Sequence, residues 1–213
     1  MSEKNETMDL VFIIDRSGSM HGLEDDTIGG FSQVLEDDRK QGLDCRVTTI
    51  LFDSRSQVLQ DRVPIAEAQP LTHETYRPGG MTALLDALGG AMDHLVWGKD
   101  TPDHAQFVII TDGMENSSRE YTLPKVRAMV EKLKAERGWD FIFLGANIDA
   151  IATAERMGIS PDRAVDAVSD SEGVRAQFVA VGEANLDFMR APRAARSAGW
   201  KGAVEKDRER RGR

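Results

Sequence analysis

The chain alternates between short continuous apolar runs and longer stretches in which apolar residues recur every three or four positions. Continuous runs are typical of strands buried on both faces of a sheet, and the wider spacing is typical of helices with one buried face. The two kinds of segment follow each other along residues 8–189. This alternation predicts an α/β fold built on a parallel sheet with right-handed crossovers.

The pattern locates the individual elements. Strands are predicted at residues 8–15, 45–52, 57–63, 106–111, 140–144 and 163–168. Helices are predicted at residues 27–40, 83–97, 122–137, 149–157 and 172–189. Segment 57–63 follows a tight turn and stands beside Pro64, so we expect it to be an antiparallel edge strand. The predicted fold class is therefore α/β, a doubly wound, mostly parallel, Rossmann-like sheet of about six strands with one antiparallel edge strand and helices on both faces.

The predicted organisation is a polar lead at residues 1–7, a single domain at residues 8–190 and a basic, flexible C-terminal tail at residues 191–213. A chain of 213 residues can bury about 70% of the surface of its unfolded state as one domain. Its hydrophobic share of 40% is that of an ordinary globular protein. Composition therefore supports one domain and gives no sign of a second.

Charge is distributed unevenly along the chain. The net charge is −9, and residues 190–213 hold nine basic and three acidic side chains, or +6, so residues 1–189 carry −15. An acidic domain argues against nucleic acid as its partner, because phosphate binding needs a basic surface. The basic end is a candidate for contact with nucleic acid, an anionic membrane or an acidic protein, or is simply solvated.

Cellular location is inferred from what the sequence lacks. Cys45 is the only cysteine, so no disulfide forms within the chain. No apolar run approaches the ~20 residues that cross a bilayer, and the first residues are polar rather than a secretory signal. We expect a cytoplasmic protein with no membrane span; the alternative is a mature surface protein supplied without its leader.

One polar motif stands directly after the first predicted strand. Asp15, Ser17 and Ser19 alternate along the loop that follows the apolar run 8–14. Alternation can turn the carboxylate and both hydroxyls toward one pocket of hard oxygen donors, which suits Mg²⁺. The motif alone is weak, since Ser-Gly-Ser is also ordinary turn chemistry.

Two later segments can complete the pocket. Thr82 follows a glycine-bearing turn just before a predicted helix, and Asp112 ends another buried strand ahead of Gly113, which permits a tight turn. Open α/β sheets bind ligands outside the carboxyl ends of their strands. We therefore expect Thr82 and Asp112 to join the first loop at that edge, where a turn or helix-capping role is the alternative for each.

Three carboxylates near the predicted pocket have candidate supporting roles. Asp86 lies one helical turn after Thr82, and we expect it beneath the pocket, orienting the ligands, or exposed. Asp53 ends the second strand and either edges the crevice or closes an Asx turn. Glu115 follows Asp112 and either shapes the access of a partner or is plain polar loop.

The three segments together resemble the metal-ion-dependent adhesion site of the von Willebrand factor type A family, over roughly residues 8–190. The resemblance implies that the hydroxyls of Ser17, Ser19 and Thr82 bind a metal directly. It implies that Asp15 and Asp112 often act through water, and that one coordination position is left for an acidic side chain of a partner. Mg²⁺ fits the small oxygen site, with Mn²⁺ or Ca²⁺ as alternatives.

The function predicted from this resemblance is a metal-dependent protein-binding module and not an enzyme. As partner it implies a protein that presents Asp or Glu, such as an AAA-type ATPase or a stress-response, phage-related or conflict-system protein of a bacterium. We expect a monomer. One alternative is a Mg²⁺-dependent hydrolase or phosphotransferase, although no general base is evident beyond Asp112 and Glu115. Another is a structural or assembly component whose metal only stabilises loops.

Overall fold

The computed structural model describes residues 7–191, 196 and 198–212. Its strands are β1 (Met8–Asp15), β2 (Arg46–Phe52), β3 (Ser56–Pro64), β4 (His104–Thr111), β5 (Asp140–Ala146) and β6 (Ala164–Ala167). Its helices are α1 (Glu24–Lys40), α2 (Leu84–Trp97), α3 (Leu123–Arg137), α4 (Ala150–Arg156), α5 (Ser171–Arg190) and α6 (Gly202–Arg210). The predicted elements are confirmed to within a few residues at each end. Of the predicted polar lead, residues 1–6 lie outside the described residues.

The strands form one sheet in the spatial order β3-β2-β1-β4-β5-β6. All neighbouring pairs are parallel except β2 with β3, which is antiparallel. The predicted fold class is therefore confirmed, including the antiparallel edge strand. The chain order reverses around β1 and β4, so the crevice at their carboxyl ends is the ligand-binding place that this topology favours.

Each face of the sheet has its own hydrophobic core. Side chains of alternate residues on β1 point to opposite faces, so Phe12 packs with α1 and α5 while Ile13 packs with α2 and α3. Phe12 meets Phe31 of α1 edge-on, with ring centroids 5.2 Å apart. On the other face Phe107 stacks on Phe141 at 4.7 Å. These central strands are rigid supports for the loops at their ends.

The edge strand β3 carries a bulge. The pairing of β2 with β3 shifts register between Val47 and Thr49, and Arg62 adopts a positive φ of 51° there. The Arg62 guanidinium lies 2.5 Å from the buried Asp9 carboxylate, which also accepts from Arg46 at 2.9 Å. The bulge therefore turns a cation of the edge strand inward onto a buried acid.

The C-terminal segment differs from the flexible tail expected for residues 191–213. Residues 202–210 form α6, which packs on α5 and β6. Trp200 and Val204 lie one helical turn apart and are both buried. Arg208 pairs with Asp166 of β6 at 3.5 Å. Two apolar side chains on one face and ion pairs on its flank give this segment a docked position, so the expectation of a solvated tail is wrong for the described residues.

The ends of α4 and α5 follow the expected capping chemistry. The Asp149 side chain accepts from the Ala152 amide at the start of α4. Asp170 accepts from Gly173 in the same way at the start of α5. Among the described helices, none is both long enough and apolar enough to span a bilayer.

Candidate metal centre

The first loop of the predicted pocket folds as its alternation suggests. The Ser17 amide donates to Oδ1 of Asp15 at 2.6 Å. The hydroxyl oxygens of Ser17 and Ser19 lie 3.0 Å apart. The Ser19 hydroxyl in turn donates to Oδ1 of Asp112 at the end of β4. A chain of direct contacts thus joins Asp15, both serines and Asp112 across two loops.

Gly113 shows how closely the three hydroxyls converge. A Cβ atom added at Gly113 would lie 2.9 Å from Oγ1 of Thr82, 3.4 Å from Oγ of Ser19 and 3.8 Å from Oγ of Ser17. Three hydroxyl oxygens from two loops therefore surround one point beside the third loop. Any side chain at position 113 would occupy that space, which is why the position requires glycine.

The Asp15 carboxylate, at the end of β1, is fully buried. The Thr111 hydroxyl donates to Oδ2 of Asp15 at 2.6 Å, and the Tyr76 hydroxyl donates to the main-chain carbonyl of Asp15 at 2.7 Å. Burial raises the pKa of Asp15 to about 6, and the negative charge of Asp112 adds a smaller upward contribution. The hydrogen bonds from Thr111 and Ser17 act in the opposite direction and lower the pKa. A cation at the convergence point would favour the ionised carboxylate.

The second loop is fixed to the first through the main chain. The Gly18 amide donates to the Gly80 carbonyl at 3.1 Å, and the Gly79 amide donates to the Arg16 carbonyl at 2.8 Å. Gly80 has a positive φ of 75°, and a Cβ there would lie 2.9 Å from Oγ of Ser54. The glycine pair therefore allows the backbone to pass close to the Asp15 loop and so to present Thr82.

Asp86 has a different role from the one expected of it. Its two carboxylate oxygens accept the amides of Arg119, Glu120 and Tyr121 at 2.8–2.9 Å. The carboxylate thus fixes the segment that follows β4, and no contact joins it to the predicted ligands among the described hydrogen bonds. Its expected position beneath the pocket is replaced by a position beside the loop that carries Asp112.

Glu115 and Asn116 close the start of α2, a role that the sequence did not reveal. Glu115 accepts from the Leu85 amide at 2.9 Å. Asn116 accepts from the Thr82 amide at 2.9 Å and donates its own amide to the Thr82 carbonyl at 3.0 Å. Helix α2 begins at Leu84, and its N-cap residue Ala83 has no side chain that can accept a hydrogen bond. The first amides of a helix need acceptors, and among the described hydrogen bonds Thr82, the capping residue that the sequence offered, does not provide one.

Asp53 closes an Asx turn, one of its two expected roles. Its Oδ1 accepts from the Arg55 amide at 3.0 Å. Its Oδ2 pairs with Arg16 at 2.9 Å, and Arg16 also donates to Gln57 at 2.8 Å. Arg16, which stands between two predicted ligands in sequence, is therefore held on the β3 side of the loop.

A fourth loop, which the sequence pattern did not reveal, reaches the pocket. The Ser169 hydroxyl donates to Oδ2 of Asp112 at 3.3 Å. Ser169 lies between β6 and α5, immediately before the capping residue Asp170. The polar run 169–171 after a short strand was the available signal, but its distance in sequence from Asp112 gave no reason to join the two.

The donor set fits a hard divalent cation. The five predicted ligands are all brought together, and they offer two carboxylates and three hydroxyls. Mg²⁺ and Mn²⁺ accept oxygen donors of this kind, whereas structural zinc sites use Cys and His. Within residues 7–191, 196 and 198–212, no group of three or more His, Cys, Asp or Glu side chains is placed to hold a metal ion. The pocket is thus a hydroxyl-rich oxygen site and not a carboxylate or histidine cage.

Solved structures with a similar fold include two pilus proteins and a matrix protein. The pilus adhesin SpaC of Lactobacillus rhamnosus GG matches with a TM-score of 0.66 at 15% identity, over 88% of this chain and 31% of its own. The von Willebrand factor domain of the pilus tip protein Mfa5 of Porphyromonas gingivalis matches with a TM-score of 0.62 at 11% identity. The match covers 89% of this chain and 99% of the Mfa5 domain.

Proximal thread matrix protein 1 of the mussel byssus, with a zinc-occupied metal-ion-dependent adhesion site, matches with a TM-score of 0.59 at 13% identity, over 84% of this chain and 45% of its own. No family model matches the chain, and no curated protein matches it. The chain spans about a third of the length of SpaC and under half that of the mussel protein. It has the fold of von Willebrand factor type A domains, as its resemblance predicted.

Proposed function

We propose that the chain is a metal-dependent protein-binding module of the adhesion type. A divalent cation, Mg²⁺ in the first place, is held by the hydroxyls of Ser17, Ser19 and Thr82, with Asp15 and Asp112 as supporting carboxylates. The observation that carries the proposal is the convergence of those three hydroxyls on the single point beside Gly113. Similar folds in a pilus adhesin, a pilus tip protein and a byssus matrix protein support an adhesive role.

The chemistry of such a site is ligand exchange. Neutral hydroxyls leave a bound cation with much of its charge, so the cation attracts a further carboxylate. A partner then supplies an Asp or Glu side chain as the last ligand in place of water. The exposed methionines Met81 and Met114 flank the site on two of its loops and offer adaptable apolar contact to that partner.

A binding role is preferred to a hydrolytic one because of the surroundings of the pocket. A metal hydrolase needs a base near the reacting water. Of the two predicted candidates, Asp112 already accepts from Ser19 and Ser169. Glu115 is engaged by three backbone amides and the Ser118 hydroxyl. Arg16, the cation of the first loop, is paired with Asp53. We propose a partner within a multiprotein system, for which an AAA-type ATPase or a stress, phage or conflict-system protein is the class that the resemblance implies.

The test separates metal binding from folding. Thr82→Val removes one hydroxyl at nearly constant volume, and Thr122→Val makes the same change at an exposed position outside the pocket. We expect Thr82→Val to weaken Mn²⁺ binding by at least about tenfold, ~1.4 kcal/mol, and Thr122→Val to leave it unchanged. Calorimetric titration with Mn²⁺ measures both affinities.

Partner binding is measured with the same two variants. We expect host proteins captured by the wild-type chain to be lost in EDTA and with Thr82→Val, and retained with Thr122→Val. A wild-type chain that binds no Mn²⁺ contradicts the proposed site. Capture that is identical with and without EDTA contradicts the proposed binding mode.

A further inference from the structure

A groove of about 610 Å³ runs between α1 and α5, away from the candidate metal centre. Its α1 wall has a residue from every turn, from Asp25 to Gln41, and its α5 wall extends from Arg175 to Leu186. Sixteen residue steps of α1 correspond to about 24 Å. The α1 wall is therefore as long as a helix of four to five turns, and the α5 wall, of eleven residue steps, is about 16 Å long.

Glycines explain why this groove is open. At Gly30 the two helices meet closely, since a Cβ there would lie 2.2 Å from Cδ2 of Phe178. Gly29 and Gly182 face the groove instead, with no atom within 4 Å of a Cβ placed on either. The side chain of Val179 is 54% exposed beside them. The floor is thus apolar and low, a shape that accepts the side chains of another helix.

The rim of the groove is acidic, although from outside it Lys40 lies 3.6 Å from Asp37 and His73 lies 3.1 Å from Asp25. Arg175 is the one basic residue among its described lining residues, and it pairs with Asp26 at 2.9 Å. The carboxylates that line the groove are Asp25, Asp26, Asp37, Asp38 and Glu183. An apolar floor between carboxylates matches a segment that is apolar on one face and basic on its flanks.

Asp38 adds a specific feature at the base of the groove. Its side chain is 1% exposed and accepts one hydrogen bond, from Nδ2 of Asn185 at 2.7 Å. In the part of the chain that the structure describes, no basic side chain lies within 4.0 Å of this carboxylate. Oδ1 of Asn185 is itself buried without a hydrogen bond. A buried carboxylate without a cation is costly, so an incoming ammonium or guanidinium group gains from reaching it.

We propose that the groove between α1 and α5 binds a basic amphipathic helix of a partner protein. A Lys or Arg side chain of that helix pairs with Asp38, and its apolar side chains cover Val179 and Leu186. The length of the groove, its apolar floor and its acidic rim together define this occupant. The proposal does not depend on a metal at the centre described above.

A synthetic helix is the probe. It is about 16 residues long, ~24 Å when helical, with Leu at three-and-four spacing and Lys on both flanks. A peptide of identical composition in scrambled order controls for charge alone. Binding is measured by fluorescence anisotropy at about pH 8, where Asp38 is mostly ionised, and at about 0.15 M salt, where attraction between distant exposed charges is screened. We expect the helix to bind the wild-type chain in the micromolar range and the scrambled peptide at least about tenfold more weakly.

Two pairs of variants locate the binding. Gly182→Phe fills the groove, and Gly90→Phe makes the same change at an equally open glycine of α2 on the opposite face. Asp38→Asn removes the buried charge, and Glu36→Gln removes an exposed one on α1 outside the groove. We expect about tenfold weaker binding with Gly182→Phe and with Asp38→Asn, and no change with either control.

Three results overturn the proposal. They are equal binding of the scrambled peptide, unchanged binding with Gly182→Phe, and no binding of the Lys helix up to about 1 mM. A fourth contradicting result would come from sedimentation of the wild-type chain. A dimer that Gly182→Phe dissociates assigns the groove to a second copy of this chain and not to a partner. Because Mn²⁺ titration reports only on the metal centre, failure here is distinguishable from failure of the proposed function.

Discussion

Replacing Asp38 by Asn tests the electrostatics of the α1–α5 interface directly. Asp38 is buried, with Asn185 as its hydrogen-bond partner. Burial raises the pKa of Asp38 to about 7 from its ordinary value of 3.8, with a smaller contribution from the negative charge of neighbouring Asp37. Asn at this position keeps the shape, removes the ionisation and is able to donate to the unpartnered Oδ1 of Asn185.

The sign of the effect follows from proton linkage. Between pH 3.8 and about 7 the folded chain retains the Asp38 proton while the unfolded chain loses it. The contribution of Asp38 to stability therefore falls as pH rises through this window and is lowest above it. A shift of about 3 pKa units corresponds to about 4 kcal/mol. Cys45, the nearby thiol, has a pKa raised to about 12 by burial and by the charges of Asp38, Asp44 and Asp9, and does not titrate there.

The assay is urea unfolding of the wild-type chain and of Asp38→Asn between about pH 5 and pH 8. Groups common to both chains, Asp15 included, cancel in the difference between them. We expect the difference in free energy of unfolding, Asp38→Asn minus wild type, to increase by about 3 kcal/mol from the lower to the higher pH. Asp37→Asn, at the exposed neighbour, is the control and should show little change. Parallel pH profiles for wild type and Asp38→Asn would refute the reasoning.

Three further predictions concern the loops and the C-terminal helix. Glu115→Ala leaves the start of α2 and the loop 117–118 without their hydrogen-bond acceptor. We expect the free energy of unfolding, measured in urea, to fall by about 2 kcal/mol. Glu120→Ala, at an exposed position, is the control and should lower it by less than about 0.5 kcal/mol. Trp200→Ala removes the buried anchor of α6, and we expect a loss of about 3 kcal/mol with faster hydrogen exchange at 202–210; unchanged exchange there would contradict the docked position. Gly113→Ala places a methyl group among the three hydroxyls, so Mn²⁺ affinity measured by calorimetry should fall by at least about tenfold, whereas Gly79→Ala, in open space, should bind normally.

The sequence predicts the fold well because its signals are local. The continuous apolar runs of β1 and β4 and the spaced apolar residues of α2 are each determined by near neighbours in the chain. Asp15 and Asp112 were placed correctly because parallel strands bring their carboxyl ends to one edge. Thr82 was placed because a glycine turn precedes its helix.

What the sequence did not reveal depends on contacts between distant segments. Ser169 touches Asp112 only because β6 and β4 lie in the same half of the sheet. Asp86 fixes residues 119–121 and not the ligands, which helical spacing alone could not distinguish. The docked α6 was missed because six of its nine residues are charged, as in a solvated end. Its apolar pair, Trp200 and Val204, becomes meaningful only against α5 and β6.

The claim on which the proposed function depends is that three separate loops hold one divalent cation together. Anomalous diffraction from crystals soaked in Mn²⁺ measures this directly. We predict a single strong peak with the hydroxyl oxygens of Ser17, Ser19 and Thr82 at about 2.1–2.2 Å, close to the octahedral Mg²⁺ distances. A map without a peak among those hydroxyls, with the loops in the positions described above, would contradict the account.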